Sequence, residues 1–297
     1  MPDLRSVAGT IVVGVDGSRT ARHALHWTAR WAAHTNTRVT LLAALGDPPT
    51  NGEGDNLADE PDSEFRQEVR AMVEAEVEYV REEVKGVEIA YLDVWGEAAK
   101  VLIEASRHAL VLVLGTRGLG GWTGLLLGGV SDKVIGHARG PVVVVPPHWK
   151  PARRDEPVML GVDDPGSAGP SVAFAIMATR ALGTTLHAIH AWEVQKGWSA
   201  LATTFGAGHV RSAAEQAQRR LDSVCAMVGQ AAPEVQVVPR LIEGNPAVVL
   251  AEASETARMM VVGTRGRGGL QGLVLGSCSR RLAQTSACPV AIIRERS

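Results

Sequence analysis

The sequence predicts an α/β protein with two tandem domains, each an open, parallel, five-stranded sheet with helices on both faces. Short, continuously apolar segments alternate with longer segments of helical periodicity, which is typical of buried parallel strands joined by crossover helices. A glycine-rich pattern occurs at equivalent places in the two halves of the chain. The length of 297 residues exceeds what one hydrophobic core usually needs, which also favours two domains.

The first half contains the full alternation of strands and helices. Residues 10–16 are β-branched and apolar and predict a buried strand, after which Ser18 supplies a hydroxyl suited to cap a helix. The elements predicted next are a strand at 38–45, a loop at 46–62, a helix at 63–85, a strand at 87–94, a helix at 96–107, a strand at 109–114, a helix at 128–137 and a strand at 142–145. The order is therefore β-α-β-α-β-α-β-α-β.

Two strand ends carry polar and glycine residues where a ligand is expected. Gly14 and Asp16 end the first strand, and Gly115 follows the fourth. In parallel sheets that are wound in both directions, ligands bind beyond the carboxyl ends of the strands, where the winding direction reverses. The sequence therefore predicts a binding site between the first and fourth strands.

A repeated glycine pattern follows the fourth strand. It consists of a glycine, a second glycine three residues later and, after nine more residues, a Gly-Gly or Gly-Ser pair before a helical segment. Its members are Gly115, Gly118, Gly128 and Gly129 in the first half and Gly263, Gly266, Gly276 and Ser277 in the second half, 148 residues downstream. Glycines leave backbone N–H groups uncovered, and helix N-termini attract anions. The pattern predicts a phosphate-binding loop in each half.

The loops also contain Arg117, Arg265 and Arg267, which either neutralise phosphate charge or face solvent. Neither loop has the Lys-Ser/Thr pair of a Walker A motif, and the glycine spacing does not fit G-x-G-x-x-G. Both loops, moreover, follow the fourth strand rather than the first. Spacing and position therefore exclude the two standard phosphate loops.

The second half repeats the first at a nearly constant offset. Gly161 and Asp163 match Gly14 and Asp16 at an offset of 147 residues. The proline-rich, charged segment at 146–157 predicts a linker between the two copies. We therefore predict one domain at 1–150 and a second at 151–297.

Composition excludes several classes of protein. The formal net charge of -2 gives no electrostatic case for a nucleic-acid partner, and no apolar run is long enough to span a bilayer. The N-terminus lacks a signal-peptide apolar region, so the expected compartment is the cytoplasm. The three cysteines lack the spacing of a zinc site or a disulfide framework. Cys278 follows Ser277 in the second loop, where a helix N-terminus is expected to lower the pKa of its thiol and make it oxidisable.

The motif G-x2-G-x9-G-[S/T] after an apolar strand, Val-Asp at the end of the first strand and a final Pro-Val strand together resemble the universal stress protein family. The resemblance covers essentially the whole chain as a tandem pair, like the two-domain members of actinobacteria. It implies a sheet order of 3-2-1-4-5 and ATP, with Mg²⁺, as the ligand. Its implied site residues are Asp163 and Gly161 for adenosine, Ala191 for adenine, and Gly263, Gly266, Gly276 and Ser277 for ribose and phosphates, with Gly14, Asp16, Ala44, Gly115, Gly118, Gly128 and Gly129 as counterparts in the first half.

The two halves depart from the family pattern in different ways. Gly129 stands where the family has Ser or Thr, and a lost hydrogen bond to a charged phosphate costs on the order of 1.5 to 3 kcal/mol, which predicts a weaker first site. In the second half Pro165 replaces the Ser18 cap and follows the additional carboxylate of Asp164, which either helps hold Mg²⁺ or starts a turn; we expect the turn. His190 ends an apolar strand, where a satisfied core histidine is expected rather than a catalytic base.

The leading functional prediction is a regulatory ATP-binding protein of the stress response, with no assigned catalytic residue. One alternative is slow ATP hydrolysis, for which Asp16 and Asp163 are the only candidate bases that the sequence offers. The other is a nucleotide-independent interaction module. By resemblance, the last strands at 142–145 and 290–293 pair the two domains as a pseudo-dimer, and a homodimer is a further option. No membrane or nucleic-acid partner is predicted, and the protein partner is left open.

Overall fold

The computed structural model describes residues 4–47, 64–118, 127–151, 153, 155–193, 202–264 and 275–294. The chain divides into two compact units, the first through Trp149 and the second from Lys150 to Arg294. Within the described ranges, every helix is too short or too polar to cross a bilayer.

The first unit alternates strands and helices in the predicted order. Its elements are β1 Ile11–Val15, α1 Arg19–Thr35, β2 Val39–Ala44, α2 Glu64–Glu83, β3 Ile89–Val94, α3 Ala98–Ala105, β4 Val111–Gly115, α4 Gly129–His137 and β5 Val142–Val145. The strands lie in the order β3-β2-β1-β4-β5, and all neighbouring pairs are parallel. The predicted 3-2-1-4-5 order is confirmed here.

Local signals in the sequence explain where α1 begins and ends. The Ser18 Oγ accepts a hydrogen bond from the backbone N–H of Ala21 at 3.2 Å, which confirms the predicted cap. The helix ends at Asn36 in the left-handed conformation, with φ of 49°. Along β1, Ile11, Val12 and Val13 are buried. Helices α1 and α2 pack together, as do α3 and α4, so the sheet is covered on both faces.

The second unit has the same architecture. Its elements are β6 Val158–Val162, α5 Gly169–Leu182, β7 Leu186–Trp192, α6 Ala202–Ala231, β8 Val237–Glu243, α7 Pro246–Ala253, β9 Met259–Gly263, α8 Ser277–Thr285 and β10 Val290–Ile293. The strands lie in the order β8-β7-β6-β9-β10, again with parallel neighbours. The order 3-2-1-4-5 therefore holds in both units.

The connection from the first strand to the first helix differs between the units. In the second unit a 3-10 turn, Pro165–Ser167, comes between β6 and α5. Asp164 caps this turn, with Oδ1 accepting from the N–H of Gly166 at 3.3 Å. This confirms that Asp164 starts a turn. Helix α5 begins at Gly169 without a side-chain cap.

Candidate functional site

The predicted site lies where the winding of each sheet reverses. Strands β1 and β4 are direct neighbours, and the chain continues from β1 to β2 on one side and from β4 to β5 on the other. Strands β6 and β9 have the same relation in the second unit. The carboxyl ends of these two central strands therefore share one edge of the sheet, as predicted.

In the first unit the Asp16 carboxylate contacts the glycine loop. Its Oδ1 accepts a hydrogen bond from the Ser18 N–H at 3.0 Å. Its Oδ2 lies so close to Gly118 that a Cβ at this position would overlap it. The structure therefore brings Asp16 and Gly118 together.

Gly115 allows the first turn of α1 to lie directly against the end of β4. A Cβ on Gly115 would lie 2.6 Å from the carbonyl carbon of Thr20 and 2.7 Å from its Oγ1. The hydroxyls of Ser18 and Thr20 both donate to the carbonyl oxygen of Arg117, the former at 3.3 Å. Thr20 was not among the predicted site residues, because no local pattern links it to a loop 97 residues away.

Helix α4 presents a bare N-terminus to the loop. Its N-cap, Gly128, offers no side-chain acceptor, and the Gly128 N–H donates to the carbonyl of Thr116 at 2.7 Å. Gly129 is exposed, and a Cβ there would meet nothing within 4 Å. The Ser131 Oγ donates to the carbonyl of Gly115 at 2.9 Å and ties the helix to the strand end. The first turn thus points N–H groups toward the loop without a competing side-chain cap.

The second unit repeats this geometry at the start of α8. The N–H of the N-cap Gly276 donates to the carbonyl of Thr264 at 2.7 Å. The Ser279 Oγ donates to the carbonyl of Gly263 at 2.7 Å. Ser277 is exposed as the first residue of the helix. Ser131 and Ser279 occupy equivalent positions in the two halves of the sequence. This repeat would have allowed the hydrogen bond from helix to strand end to be predicted.

Gly14 and Gly161 lie in tight contact with core side chains. A Cβ on Gly14 would lie 2.7 Å from a methyl carbon of Leu114 and 3.1 Å from one of Leu102. A Cβ on Gly161 would lie 3.0 Å from side-chain carbons of Leu250 and Val262. Each glycine leaves room for these apolar side chains, and its predicted role in ligand contact stays a prediction.

Ala44 is the last residue of β2 and Ala191 the second-last of β7, and both are half-buried next to a position at which the units differ. His190 is paired with Val162 in the sheet, and Ala43 takes the same place beside Val15 in the first unit. The His190 ring is 3% exposed, with Nδ1 2.7 Å from the carbonyl oxygen of Val162. This confirms a satisfied core histidine.

The prediction for Cys278 was wrong. Burial and, as the smaller cause, the nearby Asp163 carboxylate together raise the pKa of the Cys278 thiol to about 11. Desolvation and a nearby negative charge both disfavour the thiolate, and here they outweigh the effect of the helix N-terminus. The thiol is therefore protonated at neutral pH and is not primed for oxidation. The interaction also shows that Asp163 lies near the start of α8.

Three predicted residues, Arg265, Gly266 and Arg267, lie outside the described residues. Arg117 is half-buried, and its Nε is buried without a hydrogen-bond partner in the described part of the chain. Its role toward phosphate stays a prediction. The described residues contain no group of three or more His, Cys, Asp or Glu arranged to hold a metal ion. The Mg²⁺ prediction stays a prediction.

Two stretches of the chain, residues 8–146 and 156–294, match the universal stress protein family. A universal stress protein of Mycobacterium tuberculosis is 30% identical over 301 residues, which cover 96% of this chain and 94% of the relative. Among solved structures, a universal stress protein from Archaeoglobus fulgidus is similar at a TM-score of 0.64 and 19% identity, covering 98% of this chain and 99% of that one. A universal stress protein in complex with cAMP covers 47% of this chain and 97% of its own, at 25% identity and a TM-score of 0.38.

Proposed function

The chain belongs to the universal stress protein family, and on that premise we propose that both units bind ATP and that the protein acts as a nucleotide sensor in a stress response. One observation carries the proposal. At the centre of each sheet, an acidic strand end and a strand-end glycine meet the uncapped N-terminus of a nine-residue helix. This combination suits a ligand with an anionic end and a polar, neutral end.

The helix N-termini supply the phosphate end of the proposed site. In α4 and α8 the N-cap glycine donates its own N–H to the loop, at 2.7 Å in both units, and the first-turn N–H groups follow it. The positive end of the helix dipole favours an anion there. Ser277 adds a hydroxyl donor in the second unit, where Gly129 has none in the first. The phosphates of ATP, held with Mg²⁺, fit these donors.

The adenosine end is proposed to lie over the ends of the first two strands. Asp16 and Asp163 offer carboxylate acceptors for ribose hydroxyls or the adenine amino group, and Ala44 and Ala191 stand at the ends of the neighbouring strands. Small side chains at these two positions leave the strand backbone accessible to a flat base. The recognition of adenine is therefore proposed to use mainly backbone groups.

We propose regulation rather than turnover, because Asp16, one of the two candidate bases, and the buried His190 ring both serve structural contacts. The Asp16 carboxylate accepts from the Ser18 N–H and contacts Gly118. The His190 Nδ1 is bonded to the carbonyl oxygen of Val162 inside the sheet. A hydrolase needs a base positioned on water. Phosphate release in the presence of ATP and Mg²⁺, measured over hours, is expected to stay at the protein-free rate.

The direct test places a charge at each helix N-terminus. Gly129→Glu and Ser277→Glu change exposed positions at the start of a helix, where a carboxylate is favourable to the helix but repels phosphate. Gly129→Gln and Ser277→Gln are the matched controls of equal size without charge. Isothermal titration with ATP, ADP, AMP and cAMP, each with Mg²⁺, is expected to show at least a tenfold loss of ATP affinity for each Glu variant at its own unit.

The same titrations decide against the proposal if no nucleotide binds to the wild type, or if Glu and Gln variants bind ATP equally. A complementary measurement is thermal unfolding, in which ATP at 100 times its Kd stabilises the wild type by about 2.7 kcal/mol. Mass spectrometry of small molecules released from freshly denatured protein identifies any nucleotide that is carried through purification. Together these measurements separate nucleotide binding from a purely protein-binding role.

A further inference from the structure

Two hydroxyls at the start of α1 hold the glycine loop of the first unit. Thr20 Oγ1 and Ser18 Oγ, here called the hydroxyl pair, both donate to the carbonyl oxygen of Arg117. The Ser18 hydroxyl lies 3.3 Å from this oxygen and also 3.3 Å from the Thr20 hydroxyl. The pair thus connects the first crossover helix to the loop after β4.

Further contacts hold both partners of this connection, the start of α1 and the residues after β4. Thr20 lies against Gly115, where a Cβ would come within 2.6 Å of the Thr20 backbone. On the loop side, the Gly128 N–H donates to the carbonyl of Thr116 at 2.7 Å, directly before the residue that the pair holds. Ser18 is itself fixed, because it accepts from the N–H of Ala21 at 3.2 Å. The carbonyls of Thr116 and Arg117 are therefore both bonded, to α4 and to α1 respectively.

The second unit lacks this arrangement at the start of its first helix. Pro165 and Ser167 occupy the positions of Ser18 and Thr20 at the offset of 147 residues. Proline has no hydroxyl, and the Ser167 Oγ donates locally to the carbonyl of Asp164 at 3.4 Å. The 3-10 turn also delays the start of the helix to Gly169. Among the described residues, therefore, no hydroxyl pair ties α5 to the loop after β9.

We propose that Thr20, supported by Ser18, is a positioning residue that holds the first residues after β4, Thr116 to Gly118, in place before a ligand arrives. Fixing loop backbone is entropically unfavourable, and a loop that is ordered beforehand binds its ligand more tightly. The consequence for affinity rests on the proposed nucleotide binding, whereas the ordering of the ligand-free loop does not. Thr20 thus offsets part of the disadvantage that Gly129 gives the first unit.

The first experiment measures loop order without ligand. Thr20→Val removes the hydroxyl at nearly constant shape, and Thr20→Ser keeps it. Hydrogen exchange of the Gly128 amide, which is bonded to the Thr116 carbonyl, is expected to accelerate about tenfold in Thr20→Val and to stay within about twofold of wild type in Thr20→Ser, the change expected for one neutral hydrogen bond. Ser167→Ala is the matched control and leaves exchange of Gly276 unchanged.

Exchange also separates positioning from general stability. Amides of β2, which the hydroxyl pair does not contact, are expected to exchange at the wild-type rate in Thr20→Val. Equal acceleration at Gly128 and in β2 overturns the proposal, because Thr20 then serves only the overall stability of the unit. Unchanged exchange at Gly128 overturns it as well.

The second experiment measures ATP affinity in the Ser277→Glu background, fitted with two sites, so that the affinity of the first unit is read separately from that of the weakened second unit. Thr20→Val is expected to weaken ATP about tenfold, and Thr20→Ser is expected to restore binding to within about twofold. Equal ATP affinity in Thr20→Val and wild type overturns the positioning role. If the wild type binds no nucleotide, the proposed function fails while the exchange result still decides whether Thr20 orders the loop.

Discussion

The two units share their sheet order and glycine pattern, yet they surround the phosphate end of the proposed site with different charges. In the first unit α4 begins with Gly129 and carries Asp132 in its first turn. In the second unit α8 begins with Ser277, and Arg280 stands at the position of Asp132. The first turn of α4 therefore carries a carboxylate and one fewer hydroxyl, whereas the first turn of α8 carries a guanidinium.

The two units therefore share the backbone geometry of the candidate site but differ in the charged and hydroxyl side chains around it. The ties that shape the site are the same in both units, as in the bonds from Ser131 to Gly115 and from Ser279 to Gly263. The differences at Gly129, Ser277 and Arg280 lie at exposed positions, whereas those at Ser18 and at the Ala43–His190 pair are buried. We therefore expect the second unit to be the tighter nucleotide site.

The largest expected effect concerns the missing hydroxyl. Gly129→Ser is predicted to strengthen ATP binding by the first unit, and Ser277→Gly to weaken the second, each by about 1.5 to 3 kcal/mol. Titration calorimetry with the other unit silenced by Ser277→Glu or Gly129→Glu measures each site separately. Equal ATP affinities of the two wild-type units contradict this explanation of the difference.

A second prediction tests the close packing that the first unit places behind its loop. Gly115→Ala introduces a Cβ at 2.6 Å from the Thr20 backbone and is expected to lower the free energy of unfolding by about 1 to 3 kcal/mol. Gly129→Ala, where the added Cβ meets nothing within 4 Å, is the control and is expected to leave stability unchanged or raise it by about 0.5 kcal/mol. Urea unfolding measures both, and similar losses at both positions would show that the packing argument is wrong.

The third prediction concerns the charge difference. Arg280→Asp gives the second unit the charge of the first and is expected to weaken its ATP binding about tenfold, or about 1.4 kcal/mol, at low salt. The loss shrinks as the salt concentration rises, because the side chain is exposed. Arg281→Asp makes the same charge change one residue further along α8 and is expected to have a smaller effect. Equal losses of ATP affinity in the two variants would show that only the net charge of the unit matters, and not the position of Arg280.

The smallest expected effect is on the pH dependence of stability. One histidine in each unit, His23 and His187, is expected to contribute to it. Burial lowers the pKa of His187, and Arg240 lowers it further. Burial also lowers the pKa of His23, and this outweighs a hydrogen bond to the Pro147 backbone that raises it. Each ring is therefore neutral in the folded protein at a pH where the unfolded chain, with a pKa of about 6.5, already binds a proton. The unfolded state binds more protons in this window, so stability falls as the pH drops below about 6.5.

Thermal midpoints at pH 7.5 and 5.5 measure this effect in each unit. His23→Gln and His187→Gln are expected to reduce the loss of stability on acidification, since the substituted side chain does not titrate. The variants are compared with wild type at both pH values, so that carboxylates that titrate in the same range cancel. An unchanged or larger acid sensitivity in both variants would show that these rings do not drive it.

Much of the fold followed from local patterns in the sequence. The Ser18 cap, the strand and helix order and the position of the loops after β4 and β9 were predictable, because periodicity and capping depend on residues close together in the chain. The core role of His190 and the turn at Asp164 were predictable for the same reason. Gly14 and Gly161 were predicted as ligand contacts, whereas their packing against Leu102 of α3 and Leu250 of α7 was not predicted.

By itself, then, the sequence determined the fold of each unit, the edge of the sheet that carries the candidate site and the repeat of its glycine loop. The tertiary structure decided which side chains act on that loop. The contact of Thr20 with Arg117 spans 97 residues, and the pKa of Cys278 depends on burial and on Asp163, which lies in a different strand-end segment. Desolvation and long-range hydrogen bonds arise only when distant segments pack together, so no local pattern in the sequence encodes them.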